Sequence, residues 1–108
     1  MKLWKNICDT FDYLPIAAVV GDRIFCVHGG LSPQLKNIRD LNAIKRPVEP
    51  LRSSAICDML WSDPSHLLEG WNENIDRGVS FYFGANIVNA FLQKYDFDLI
   101  CRSHQVVE

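Results

Sequence analysis

The sequence predicts an α/β domain, and three observations carry that reading. Short β-prone apolar runs alternate with stretches whose apolar residues recur at spacings of three and four, the signature of strands interleaved with helices. Two of the β-prone runs, Arg23-Ile24-Phe25-Cys26-Val27-His28 and Asp98-Leu99-Ile100-Cys101-Arg102-Ser103-His104, each end in a histidine. The first of them runs directly into Gly29-Gly30, where the backbone is free to turn sharply or to approach an anion without a Cβ in the way. A metal site at the edge of a sheet needs two such strand-end histidines, and needs more than these two.

The elements follow in order. Trp4, Ile7, Cys8, Phe11 and Leu14 form the apolar stripe of a helix that Pro15 ends, and the stripe is expected to be core. No capping residue precedes it. Ala17-Ala18-Val19-Val20 is a strand, Gly21-Asp22 a tight turn, and Arg23 to His28 the returning strand of a hairpin. Ser32 as N-cap and Pro33 in the first helical position predict a helix through Leu35, Ile38, Leu41 and Ile44. Arg46-Pro47-Val48-Glu49-Pro50 is a loop, after which Ser53 or Ser54 caps a short helix through Leu60. Leu60-Trp61-Ser62-Asp63-Pro64 leads into an Asp-Pro turn, and the polar stretch from Ser65 to Asp76 reads as a surface loop. Phe81 and Phe83 belong to a short strand, Ile87, Val88, Phe91 and Leu92 to a helix, and Leu99 to Cys101 to the last strand.

Composition bounds what this domain does. With 108 residues, 48% hydrophobic and 22% charged, the chain is globular and large enough for one modest core. Its formal charge of -2, with the basic residues scattered, argues against a phosphate-backbone binder, so nucleic acid is not an expected partner. No secretory signal and no apolar run of membrane-spanning length is present, so no membrane partner is expected either. Cys8, Cys26, Cys57 and Cys101 are widely spaced, which speaks against a disulfide framework and for cytosol or nucleus. Cys26 and Cys101 are expected to act as small buried hydrophobes within their strands.

Chemistry rests on few residues. A lone strand-end histidine serves a structural hydrogen bond as readily as a metal. A pair of them favours a metal with mixed nitrogen and oxygen ligands. Asp63 and Asp76 are available carboxylates, although aspartate before proline is also a common turn former. Arg77-Gly78 presents a guanidinium fork from a loop, suited to bidentate contact with phosphate, or to a surface ion pair with Asp76 or Glu73. His66 is read as solvated, Trp61 and Trp71 as anchors, and Glu69, Glu73 and Asp76 as an acidic rim.

The strings Leu14-Pro15-Ile16-Ala17-Ala18, Ile24-Phe25-Cys26-Val27-His28-Gly29-Gly30-Leu31-Ser32-Pro33, Leu60-Trp61-Ser62-Asp63-Pro64, Asp76-Arg77-Gly78-Val79-Ser80 and Leu99-Ile100-Cys101-Arg102-Ser103-His104-Gln105-Val106-Val107-Glu108 together resemble the serine/threonine phosphoprotein phosphatase family, nearest its type 1 catalytic subunits. The resemblance runs along essentially the whole chain. It implies a metallophosphoesterase (calcineurin-like) β-sandwich flanked by helices, with two divalent metals of the manganese, iron or zinc type. It implies hydrolysis of phosphoserine and phosphothreonine by metal-activated water. His28 and His104 match ligands to one metal, Arg77 an arginine that holds the substrate phosphate, and Asp63 an acidic residue at the rim of the active site. Ile24, Asp98 and Leu99 match positions lining a groove that docks Val-x-Phe motifs of regulatory subunits.

The family's Gly-Asp-x-His-Gly, Gly-Asp-x-Val-Asp-Arg-Gly and Gly-Asn-His-Glu strings are absent here. They carry the remaining ligands and the proton donor to the leaving group. Residues 1–108 therefore read as one partial domain, the C-terminal portion of a catalytic domain, of marginal stability and very low activity by itself. The alternative is a non-catalytic module that binds phosphatase regulatory subunits. Ile75 resembles an insertion that could displace Arg77, and Ser103 stands where alanine is usual, a minor departure.

Overall fold

The computed structural model describes residues 2–106; Met1, where the first helix was expected to begin, and Val107 and Glu108, which close the last matched string, lie outside them. Among the described residues six strands form two three-stranded sheets. β1 (Ala17–Val20) and β2 (Ile24–Val27) make the expected hairpin, with Val20 opposite Ile24. Gly21 and Asp22 both take positive φ, 58° and 57°, and the Arg23 amide donates to the Val20 carbonyl at 3.1 Å, so the loop closes within Gly21, Asp22 and Arg23. β6 (Leu99–Arg102) then lies parallel to β2, so the first sheet has the order β1-β2-β6. The second sheet comprises β3 (Asp63–Ser65), β4 (Trp71–Glu73) and β5 (Phe81–Gly84), with β5 in the middle, parallel to β3 and antiparallel to β4.

Among the described residues three α-helices accompany the sheets: α1 (Lys2–Phe11), α2 (Ala55–Trp61) and α3 (Ala85–Tyr95). Ser54 caps α2 as expected, its hydroxyl accepting from the Cys57 amide at 3.1 Å. α3 ends at Asp96, whose left-handed φ of 55° closes the last turn. Phe25 and Val27 of β2, Phe83 of β5, Met59 of α2 and Leu31 form the buried core, and Ile87, Val88 and Phe91 of α3 pack onto it. The alternating sheets with flanking helices are the sandwich the resemblance implied.

Four expectations change. The helix from Ser32 does not form. The Ser32 hydroxyl instead accepts from the Gln34 amide at 3.1 Å and donates to the buried Asp58 at 2.6 Å, and only a 3-10 turn, Ile38–Ala43 capped by Asn37, follows. The Asp-Pro turn is the edge strand β3, where proline is tolerated because its missing N–H faces away from the ladder. The polar loop after it contains β4. Finally, the apolar stripe of α1 is not core: Trp4 is 74% exposed and Ile7 and Phe11 are exposed as well. No residue of that helix is buried among the described residues, and Cys8 alone of its stripe is half-buried.

Gly29 and Gly30 are needed for packing rather than for an anion. Both amides donate to the Met59 carbonyl, at 2.8 and 3.3 Å, so the exit of β2 is fastened to the end of α2. A Cβ on Gly29 would lie 2.5 Å from the Leu60 carbonyl carbon and 2.7 Å from the Trp61 nitrogen, backbone atoms that cannot swing away. Gly29→Ala is therefore expected to cost about 1–3 kcal/mol, the usual range for overpacking. A urea melt checks this, and an unchanged midpoint would show that α2 shifts freely.

Candidate active site

The parallel pairing of β2 with β6 decides the site. Val27 stands opposite Arg102, so the chain continuing from each strand delivers His28 and His104 to the same sheet edge. Beyond the last paired residues the Ser103 amide still donates to the His28 carbonyl at 3.2 Å. The two imidazoles end with centroids 5.0 Å apart and planes at 51°. His28 is exposed, and its Nδ1 is 3.0 Å from the Ser103 hydroxyl, a hydrogen bond that fixes the ring. His104 is more enclosed, with Trp61 edge-on at 5.6 Å. Its φ of 72° lies in the left-handed region, strained for a histidine.

Asp63 sits beneath this pair, 2% exposed, inside the protein rather than at a rim. Its Oδ2 accepts from Asn74 Nδ2 and Arg77 Nε, both at 3.0 Å, and its Oδ1 from Arg102 Nη2 at 2.8 Å. Burial pushes the Asp63 carboxyl up, but the hydrogen bonds from Arg77, Asn74 and Arg102 and the charge of Arg77 outweigh it, and its pKa falls below the ordinary 3.8. Arg102 also donates from Nε to the Gly29 carbonyl and from Nη1 to Gln105 at 2.6 Å. One carboxylate thus organises two guanidiniums from different elements.

Arg77 reaches Asp63 from the loop between β4 and β5, and its Nη2 donates to the His104 carbonyl at 2.9 Å. Among the described residues its Nη1 makes no hydrogen bond, which leaves one edge of the fork for a ligand. Ile75 lies outside these contacts. Ile75 is 83% exposed, bulged outward by a turn in which the Gly78 amide donates to the carbonyls of Asn74 and Ile75, and Asn74 stays in place to accept from the Arg77 amide at 3.1 Å.

Of the residues singled out from sequence, His28, His104, Arg77 and Asp63 come together. Asp76 does not: it faces outward and accepts from the Tyr82 hydroxyl. His66 is exposed, and Glu69 and Glu73 are solvated as expected. Ile24 and Leu99 are register partners, with Leu99 45% exposed, and Asp98 beside them accepts from Arg23 Nε at 2.9 Å. Sequence reasoning missed Asn74, Arg102 and the bond that Ser103 makes. The signal for Arg102 was there: strand alternation puts it on the same face as Ile100, where a charge requires a partner.

A divalent metal can be tested against these residues. His104 Nδ1 is 3.2 Å from Asp63 Oδ1 but lacks hydrogen-bond alignment, so among the described residues it is a buried ring nitrogen without a partner. Burial, with the nearby charges of Arg77, His28 and Arg102, holds this imidazole below the ordinary 6.5 against the pull of Asp63, which keeps its lone pair free. Two imidazoles at one edge, one with an orphaned nitrogen, fit half of a metal shell. No cluster of three histidine, cysteine or carboxylate side chains gathers among the described residues to complete it.

Both shifts give stability the same pH dependence. Each group's folded pKa is lowered, so between that value and the unfolded one the unfolded chain binds more protons. Stability is expected to fall as pH drops below 6.5 through His104 and again below 3.8 through Asp63. Urea midpoints measured across this range check it, and the lower step should vanish in Asp63→Asn.

A two-sheet sandwich with histidines and an arginine gathered at one sheet edge defines a phosphoesterase type of fold and site. The chain belongs to the calcineurin-like phosphoesterase family, whose sequence profile matches residues 1–108. Among solved structures it is similar to a protein serine/threonine phosphatase from Saccharomyces cerevisiae, described as similar to human phosphatase PP5, with a TM-score of 0.88 at 27% identity. That match covers 99% of this chain and 33% of the yeast chain, so this chain spans about a third of the length of the protein it resembles.

Proposed function

We propose that this chain supplies part of the active site of a metal-dependent serine/threonine protein phosphatase, related most nearly to the type 1 catalytic subunits. The observation that carries the reading is the meeting of His28 and His104 at one sheet edge, with centroids 5.0 Å apart, beside an arginine that keeps an unused N–H edge. His28 and His104 would hold one divalent ion of the pair the family uses, and manganese is the ion to test first. Such an ion, when bound, lowers the pKa of water and offsets phosphate charge.

The chain's own residues have separable tasks. Arg77 Nη1 binds a phosphate oxygen, while its Nε and Nη2, held by Asp63 and the His104 carbonyl, fix the plane of the fork. Asp63 is a positioning residue that acts through Arg77 and Arg102. Ser103 fixes the ring of His28. With only two of the histidine ligands in hand, residues 1–108 alone are expected to show very low turnover.

The test is a chimera in which this segment replaces the matching third of the yeast phosphatase, assayed on a phosphoserine peptide with manganese. Activity is expected, and Arg77→Ala is expected to lower kcat by about 100-fold, as for loss of one oxyanion donor. A folded but inactive chimera would overturn the proposal.

A second reading, a non-catalytic module for regulatory subunits, is favoured by one observation. Ile24 and Leu99 lie side by side on the outward face, with the Asp98 carboxylate at the edge. Binding of a Val-x-Phe peptide, lost in Leu99→Ala, would support it. The ion pair between Arg23 and Asp98 should weaken that docking.

A further inference from the structure

We propose that Cys26 and Cys101 form a dithiol site that takes a soft, thiophilic acceptor through both sulfurs, of the class of a mono-substituted trivalent arsenical. The two cysteines are far apart in sequence, yet they are register partners on the adjacent parallel strands β2 and β6. Register partners project from the same face of a sheet. Here that face is the outer one, because Phe25, Val27 and Ile100 take the core side. Sequence reasoning expected both thiols to be buried. Instead Cys26 is half-buried and Cys101 exposed, and both are free. They open into a surface hollow of about 440 Å³, lined among others by Pro15, Ala18, His28 and Ser103.

Geometry and donor count select the ligand. Side chains stand roughly perpendicular to a sheet, so register partners hold their Cβ atoms about as far apart as the strands, about 4.8 Å, whereas the Cβ atoms of a relaxed disulfide are about 3.8 Å apart. A direct S–S bond would draw the strands together, and a bridging atom removes that demand. Among the described residues no third histidine, cysteine or carboxylate completes a metal shell, so the acceptor must be satisfied by two protein donors. An arsenic atom that already bears one carbon meets that condition, and thiolate is the donor soft acceptors prefer. In the reaction two As–S bonds form and the As=O bond breaks. The two S–H protons leave with that oxygen as water, and no electrons are transferred.

This inference rests on strand register and not on the phosphatase reading. The experiment treats the full 108-residue chain with one equivalent of phenylarsine oxide. Intact mass is then read after challenge with excess glutathione or with 2,3-dimercaptopropanol. One adduct per chain is expected, resistant to the monothiol and removed by the dithiol. Cys26→Ser or Cys101→Ser should each lower its retention by about 100-fold or more, the loss expected when a two-point attachment becomes a single one. Cys8→Ser should leave retention unchanged.

Alkylation mapping of the unsubstituted chain avoids any effect of the serine variants on folding. The arsenical should shield Cys26 and Cys101 together, leave Cys8 reactive, and lose that shielding in denaturant. Shielding of a different pair, no shielding, or equal shielding in the unfolded chain would each overturn the proposal.

Discussion

Asp63→Ala is expected to lower the unfolding free energy by about 3–5 kcal/mol, the cost of removing one partner from a buried ion pair. The carboxylate is enclosed, and it receives Arg77, Arg102 and Asn74 on its two oxygens. Alanine removes the acceptor and leaves both guanidiniums where they are, with Arg102 only 15% exposed. What costs energy is this stranded positive charge more than the lost attraction. Urea denaturation of the two chains measures it. A change of less than about 1 kcal/mol, the range of exposed pairs, would mean that water already screens the cluster. Asp63→Asn keeps the shape and one acceptor oxygen, and should lie between the two.

Phe25→Ala comes next, at about 3–5 kcal/mol for a large aromatic removed from a core. Phe25 is 1% exposed at the centre of β2 and meets Phe91 of α3 at 5.0 Å and Phe97 at 6.2 Å. Its ring therefore ties the first sheet to α3 and to the segment that leads into β6. Loss should appear both as a lower thermal midpoint and as a shallower, less cooperative transition. A retained sharp melt would indicate that Phe91 and Phe97 close over the space. The exposed apolar stripe of α1 and exposed Val20 and Leu99 already leave apolar surface in water, so a loss of this size is expected to unfold much of the population.

What was legible in the sequence had local causes. The hairpin is written in Gly21-Asp22 between two β-prone apolar runs, α2 in the Ser54 cap, and α3 in the spacing of Ile87, Val88 and Phe91. β3 and β4 were not legible, because pairing with β5 overrides an Asp-Pro sequence and a polar stretch. Ser32 and Pro33 spelled a helix start, yet the hydroxyl was needed by Asp58 in α2.

The site divides in the same way. His28 and His104 stood out as strand ends, and Arg77 and Asp63 stood in strings that resemble a family. Asn74 carried no such mark and Ser103 stood out only as a departure from the usual alanine, since their roles depend on distant residues, Asp63 for one and His28 for the other. The apolar stripe of α1 signals an amphipathic helix, but periodicity alone does not say what covers it.

The place of β6 beside β2 also sets an order of events during synthesis. The β1-β2 hairpin is complete as soon as Val27 leaves the ribosome, while its other neighbour, β6, is made only after the whole second sheet and α3. Until then β2 carries an open edge of unpaired N–H and C=O groups, available to any extended chain nearby. Closing so long a loop is entropically slow compared with forming the hairpin. The nascent protein therefore passes through an interval in which the edge that will bring His28 and His104 together is open to other extended chains, and a chaperone that shields Ile24 to Val27 would protect both solubility and that edge.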